Sequence, residues 1–180
     1  MSNESFYAFA DLMKSRIDFI YAGGAVKRYH VMDTLRQQTN AEHSFGVAWL
    51  VYLLTDRRPS IGLLMAALSH DLPEQVTGDL PAPAKRALGI SEQFAAYEEQ
   101  ILDAAAMIAY PITAFEERVL KLADTAELCL YCIKELGMGN RQMDAVYQRG
   151  MGYIAEMDAL WPTARELVHV LEEKYRECQQ

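Results

Sequence analysis

Apolar residues recur at three- and four-residue spacing through most of the chain, and no segment sustains the two-residue alternation of a half-buried strand. Phe6, Phe9, Leu12, Met13, Ile17 and Ile20 line one face of a first amphipathic helix over roughly residues 3–20, which Gly23-Gly24 should stop. Residues 25–39 show no clean period and read as an ordered loop or short turn. Asn40 is placed to cap a second helix, which carries Glu42 and His43 in its first turn and then the apolar run Phe45 to Leu54. Pro59-Ser60 opens a third helix, whose run Ile61 to Leu72 ends at His70-Asp71, because Pro73 disfavours helical backbone at the residue before it. The turn-rich stretch Thr77 to Pro83 is a loop, and a short helix follows around Lys85 to Leu88. Ser91 should cap a helix that runs through Ala105 until Pro111 ends it. Thr113 and Glu116 have the spacing of a capping box and open a long helix that stops near Gly137. Two further helices, about 139–158 and 162–177, complete the chain, with Pro162 in the first turn of the last.

This pattern predicts an all-α fold: one compact helical bundle of about six or seven helices, with residues 1–180 as a single domain. The length supports one sizeable core, and 51% hydrophobic with 23% charged residues is ordinary for a folded protein. The formal net charge of -8 argues against broad nucleic-acid or anionic-membrane binding. The start has no basic region followed by an apolar one, and the longest apolar run is far short of a membrane span. Three cysteines are an odd number and imply no disulfide framework. Cys129-x-x-Cys132 falls deep inside a helical pattern, which favours a buried structural pair over a redox motif and fits a reducing, cytoplasmic setting. The supply of large aromatics, Tyr7, Trp49, Tyr131, Tyr147, Tyr153, Trp161 and Tyr175, exceeds what a small core needs and predicts a homo-oligomer, a dimer or higher.

The chemistry centres on His70-Asp71. Neighbouring helix positions, about 100° apart, can both lean towards one point beside a helix end. His43 and Asp124 likewise interrupt apolar stretches of other helices. Two imidazoles and two carboxylates from three helices make a four-donor N/O set that suits one divalent metal, Zn, Co, Mn, Ni or Mg, with room for water on an octahedral ion. Taken singly, His43 is equally a helix-terminus histidine and Asp124 equally an arginine partner. Glu74, three residues past Asp71, can lie over the same point and orient or deprotonate a water; otherwise it is a solvent-facing charge.

The order H … HD … D resembles the HD-domain metal-dependent phosphohydrolases. The wording Arg28-Tyr29-His30, Ala41-Glu42-His43-Ser44 and His70-Asp71-Leu72-Pro73-Glu74 through Gly78-Asp79-Leu80-Pro81 to Lys85 is similar to their small bacterial and phage 5′-deoxynucleotidase branch, over about residues 5–158. That branch often has tryptophan where this chain has Tyr29.

The resemblance implies that His43, His70, Asp71 and Asp124 bind one divalent metal and that Glu74 is catalytic. It also implies that Asp79 meets the sugar 3′-hydroxyl, where locally it would only hydrogen-bond a turn. Arg28 and Tyr29 would hold phosphate and sugar or base. Lys85 and Lys121 are further phosphate candidates, each equally a surface charge, and Arg16 and Lys27 are possible partners for a longer phosphate chain. The implied reaction is hydrolysis of a 2′-deoxynucleotide: a water activated at the metal attacks the α-phosphorus and the deoxynucleoside leaves. The substrate is either a deoxynucleoside monophosphate or a triphosphate such as dATP. The alternatives are a non-catalytic nucleotide-binding or regulatory module of the same fold, and a purely structural helical protein.

Overall fold

The computed structural model describes residues 3–107, 111–157 and 159–179, with backbone alone for residues 3–7 and 9. The side chains of Phe6, Tyr7 and Phe9, and residue 158 at the expected end of the penultimate helix, lie outside the described residues.

The organising element is the long helix α7 (Ala114–Gly137). Its start is as the sequence predicts: the Thr113 hydroxyl accepts from the Glu116 amide, while the Glu116 carboxylate accepts from the Thr113 amide at 2.7 Å. Around it pack α2 (Asn40–Leu54), α3 (Ile61–Ser69), α8 (Asp144–Ala155) and α9 (Pro162–Cys178). The fully buried side chains Val47, Val51, Leu63, Leu122, Leu136, Ile154 and Leu171 come from all five of these helices and form one core. Burying such a side chain contributes about 1.5–3 kcal/mol each, which binds the five helices together. Cys129 and Cys132 are buried free thiols in this core, and burial pushes Cys129 up to about 12, so it is protonated and inert at neutral pH.

Nine α-helical segments are present among the described residues, more than the six or seven expected. The unanticipated piece is a single turn, α4 (Glu74–Thr77), directly after the His-Asp pair; α5 (Ala82–Ala87) is the short helix expected around Lys85 to Leu88, begun earlier, inside the stretch expected to be loop. With α6 (Ser91–Ala104), which packs on both, they form an outer wall. Ser91 opens α6 but does not cap it, since the preceding Ile90 holds the cap position without a side-chain bond.

Helix α1 (Asn3–Gly24) runs through the two glycines that were expected to stop it. Their use is room. A Cβ on Gly23 would lie 2.8 Å from both Cδ2 and the carbonyl of Leu72, and one on Gly24 would lie 3.3 Å from the Cβ of Ala41. The end of α1 therefore touches the backbone beside Asp71.

Residues 25–39 are an irregular loop, as expected, held at both ends by an isolated antiparallel bridge between Lys27 and Thr39. Its middle is clasped by the fully buried Glu135 of α7, which accepts from the amides of Leu35 at 2.7 Å and Arg36 at 2.8 Å. Tyr131, also on α7, donates its hydroxyl to the Arg36 carbonyl and stacks on Tyr29 with ring centroids 4.5 Å apart. No helix among the described residues is long and apolar enough to cross a membrane.

Candidate metal centre

The sequence separates His43, His70 and Asp71 by a loop and a helix, and packing of α2 against α3 brings them together. His43 sits in the first turn of α2 and is 0% exposed; His70 and Asp71 follow the end of α3. One donor atom from each lies within 4.8 Å of the others, a group able to hold a metal ion. The two Nε2 atoms face one another at 3.3 Å. His43 Nε2 stands 3.6 Å from Asp71 Oδ2, and His70 Nε2 stands 3.4 Å from Asp71 Oδ1. Asp124 of α7 reaches the group through His43, its Oδ1 3.1 Å from the same Nε2.

These spacings suit a shared ion. Two nitrogens each about 2.0–2.1 Å from zinc stand about 3.3 Å apart when their bonds open at the tetrahedral angle. Both imidazoles are also held through their other nitrogen: His70 Nδ1 lies 3.0 Å from the Ala67 carbonyl and His43 Nδ1 lies 2.5 Å from the Glu127 carboxylate. Each Nε2 is thereby left for the centre. Burial opposes charge on His43, but its bonds to Asp124 and Glu127 outweigh burial and raise it to about 9. Burial would raise Asp124, yet the hydrogen bond from His43 and the neighbouring positive charges hold it below the usual carboxylate range.

The group borders, through Asp71, a cavity of about 520 Å³ whose walls include Arg28, Tyr29, Asp71, Glu74, Asp79, Lys85, Lys121 and Asp124 but neither histidine. Glu74 is nearly buried, and burial together with the Asp71 charge pushes it up to about 8. Its Oε2 accepts from Asn40 Nδ2 at 2.8 Å, and the same amide donates to the Asp71 carbonyl at 3.0 Å. This corrects the expectation for Asn40. Thr39 caps α2, in a capping box with Glu42, and Asn40 is turned inward to tie Glu74 to the Asp71 backbone.

Arg28 pairs with Asp71, and its buried Nε has no protein partner. Tyr29 adopts φ 57°, a left-handed conformation uncommon for a tyrosine, and its amide donates to Asp79 Oδ2 at 3.3 Å. One face of its ring is already covered by Tyr131, so only the other is available to a sugar or base. Lys85 is engaged by Glu98 at 3.5 Å and lies over the Phe94 ring, and Lys121 lies over the Tyr153 ring at 5.5 Å. Arg16 and Lys27 are not among the walls of this cavity, whereas Arg86 and Arg149 are. Neither arginine interrupts an apolar run, so no signal in the sequence distinguished them from surface charges. A larger cavity of about 1010 Å³ lies behind α2, lined by Phe45, Gly46, Glu127 and Ile133 among others, and holds none of the four expected donors.

The family model described as 5′-deoxynucleotidase YfbR-like matches residues 18–175. The chain belongs to this family. Among its relatives, a dATP triphosphohydrolase of Salmonella phage PMBT28 is 31% identical over 153 residues, 76% of each chain. A 5′-deoxynucleotidase of Enterobacter sp. strain 638 is 31% identical over 140 residues, 65% of this chain and 70% of the relative. The fold is shared with the HD phosphohydrolase of cyanophage S-2L, solved with dA and one catalytic zinc ion. Its TM-score is 0.70 at 23% identity, covering 88% of this chain and 95% of that one. Family and geometry are compatible: the chain is a YfbR-like 5′-deoxynucleotidase family member, and its clustered histidines and aspartate are a group able to hold a divalent metal.

Proposed function

We propose that the protein hydrolyses 2′-deoxynucleotides at the α-phosphorus and releases the deoxynucleoside. The observation that carries this reading is the His43-His70-Asp71 cluster, whose Asp71 lines one cavity together with Glu74 and Arg28. In it His43, His70, Asp71 and Asp124 hold the ion. When bound, a divalent ion supplies Lewis acidity, lowering the pKa of water and neutralising phosphoryl charge. Arg28, on the cavity wall beside Asp71, orients the phosphate. Glu74, kept near neutrality, holds or moves the water proton, and Asn40 keeps it in place. Asp79 and Tyr29, bonded to each other, form the sugar wall and crowd a 2′-hydroxyl. Lys85, Lys121, Arg86 and Arg149 line the same cavity and support a substrate with more than one phosphate.

The same reading takes the chain as one catalytic domain working in the cytoplasm on a small molecule rather than on nucleic acid. It acts as a homo-oligomer, supported by Phe45, Trp49 and Leu53 standing 65%, 54% and 57% exposed along one face of α2. Sedimentation as a monomer at micromolar concentration overturns the assembly.

The test of the activity is a panel of deoxy- and ribonucleoside mono-, di- and triphosphates with each divalent metal, reading phosphate, pyrophosphate and triphosphate. Release of the deoxynucleoside with the intact phosphate chain is expected. Equal turnover of ribonucleotides removes the sugar selectivity, and no turnover of any deoxynucleotide leaves the binding-module and structural alternatives.

A further inference from the structure

The geometry points to Glu127 as a positioning residue for the metal centre: it fixes the ring and tautomer of His43 and thereby sets how tightly the site holds its ion. The inference rests on the reading of the donor cluster as a metal site.

Glu127 lies on α7, three residues after Asp124, so the two carboxylates are near neighbours on one helix. They meet opposite edges of one imidazole. Asp124 Oδ1 is 3.1 Å from His43 Nε2, and Glu127 Oε2 is 2.5 Å from His43 Nδ1. A carboxylate at Nδ1 accepts that N–H, which leaves the Nε2 lone pair directed at the donor group. Ligating histidines commonly depend on such a partner.

Three further features show that the arrangement is built. Glu127 Oε1 accepts from the buried Gln38 Nε2 at 2.8 Å, so both carboxylate oxygens are held. Gln38 belongs to the loop that carries Arg28, and its carbonyl accepts from the Arg28 amide at 3.0 Å, so the metal side and the phosphate side share one support. Gly46, one turn after His43 on α2, leaves the space: a Cβ there would lie 2.7 Å from Glu127 Cγ. Any larger residue would drive the carboxylate off the imidazole. Glu127 is largely buried and does not belong to the group of donors, so its place in the fold is explained by the histidine it holds.

The test is Glu127→Gln, which keeps the shape and removes the charge, with Gly46→Ala as a second route that keeps Glu127 and displaces it. Affinity for Zn²⁺ or Co²⁺ is measured by competition with a chromophoric chelator, and the Co²⁺ absorption spectrum reports donor geometry. Both variants are expected to bind metal about 10- to 100-fold more weakly with an altered Co²⁺ spectrum. Their activity should recover at saturating metal. Folded variants with affinity within about threefold of the parent and an unchanged spectrum overturn the inference. If Glu127→Gln does not fold, the Gly46→Ala result decides. A parent protein that binds metal but hydrolyses no deoxynucleotide removes the proposed reaction and leaves this inference standing; one that binds no divalent ion removes both.

Discussion

Among single residues, Glu74 has the least ordinary surroundings. A carboxyl raised to about 8 is largely neutral at pH 7, held so by burial and by Asp71. Its folded value is above its ordinary 4.5, so the stability that it contributes is present below about pH 4.5 and lost as pH rises through 8. Metal-free protein should therefore lose stability to denaturant between about pH 5 and pH 9, and Glu74→Gln should lose less of it. In the metal-loaded enzyme the same substitution is expected to lower kcat by about 10²–10⁴-fold with metal affinity unchanged, because Glu74 is not among the donors. A variant with parental kcat would return Glu74 to a structural role. The sequence announced this residue through its spacing from Asp71. It hid Asn40, whose place at a helix start looks like a cap, because the contact that employs it joins residues 34 positions apart. Glu127 was hidden for the same reason: on α7 it resembles any solvated helix glutamate, and His43 is 84 positions away.

At the scale of elements, periodicity located the helices well, and capping chemistry located the start of α7 to the residue. What periodicity could not show is how an unpatterned segment is held, because its order comes from other elements. Residues 25–39 depend on Glu135, whose carboxylate accepts from two loop amides and from Asn140 at 2.8 Å. Burial would raise this carboxyl, but these donors outweigh it and lower it below its ordinary 4.5. Its contribution is thus complete above pH 4.5 and lost as pH falls through the folded value. Glu135→Ala leaves two loop amides unpaired and is expected to cost about 2–4 kcal/mol of unfolding free energy at neutral pH. The same variant should raise KM, since Arg28 and Tyr29 ride on that loop. Hydrogen exchange at the Leu35 and Arg36 amides checks it: unchanged protection would mean that the loop is held elsewhere.

For the whole molecule, the clustered donors come from α2 and from just after α3; in the proposed site Asp124 adds α7, so one ion would tie together helices that make the core. Metal binding is then linked to folding. Ion at about 100 times its Kd adds about 2.7 kcal/mol, worth roughly 5–10 °C in Tm for a chain of this size. A melting curve before and after chelation measures it directly, and coincident curves would mean that the ion does not bridge these helices. The all-α architecture was legible because most helices carry an apolar stripe and α2 and α3 carry apolar runs too long for alternating strands. In the outer wall α5 and α6 were legible and α4 was not, because a single turn is too short to show a period.

The meeting of α1 with Leu72 sets a narrow tolerance at position 23. Nothing about the backbone there demands glycine; the shortage is of space, with Leu72 2.8 Å from any added carbon. If every amino acid were tried at that codon and survivors were sorted by metal retention, glycine should be recovered almost alone. The rejected proteins should mostly remain folded, having pushed Asp71 out of alignment with its histidines.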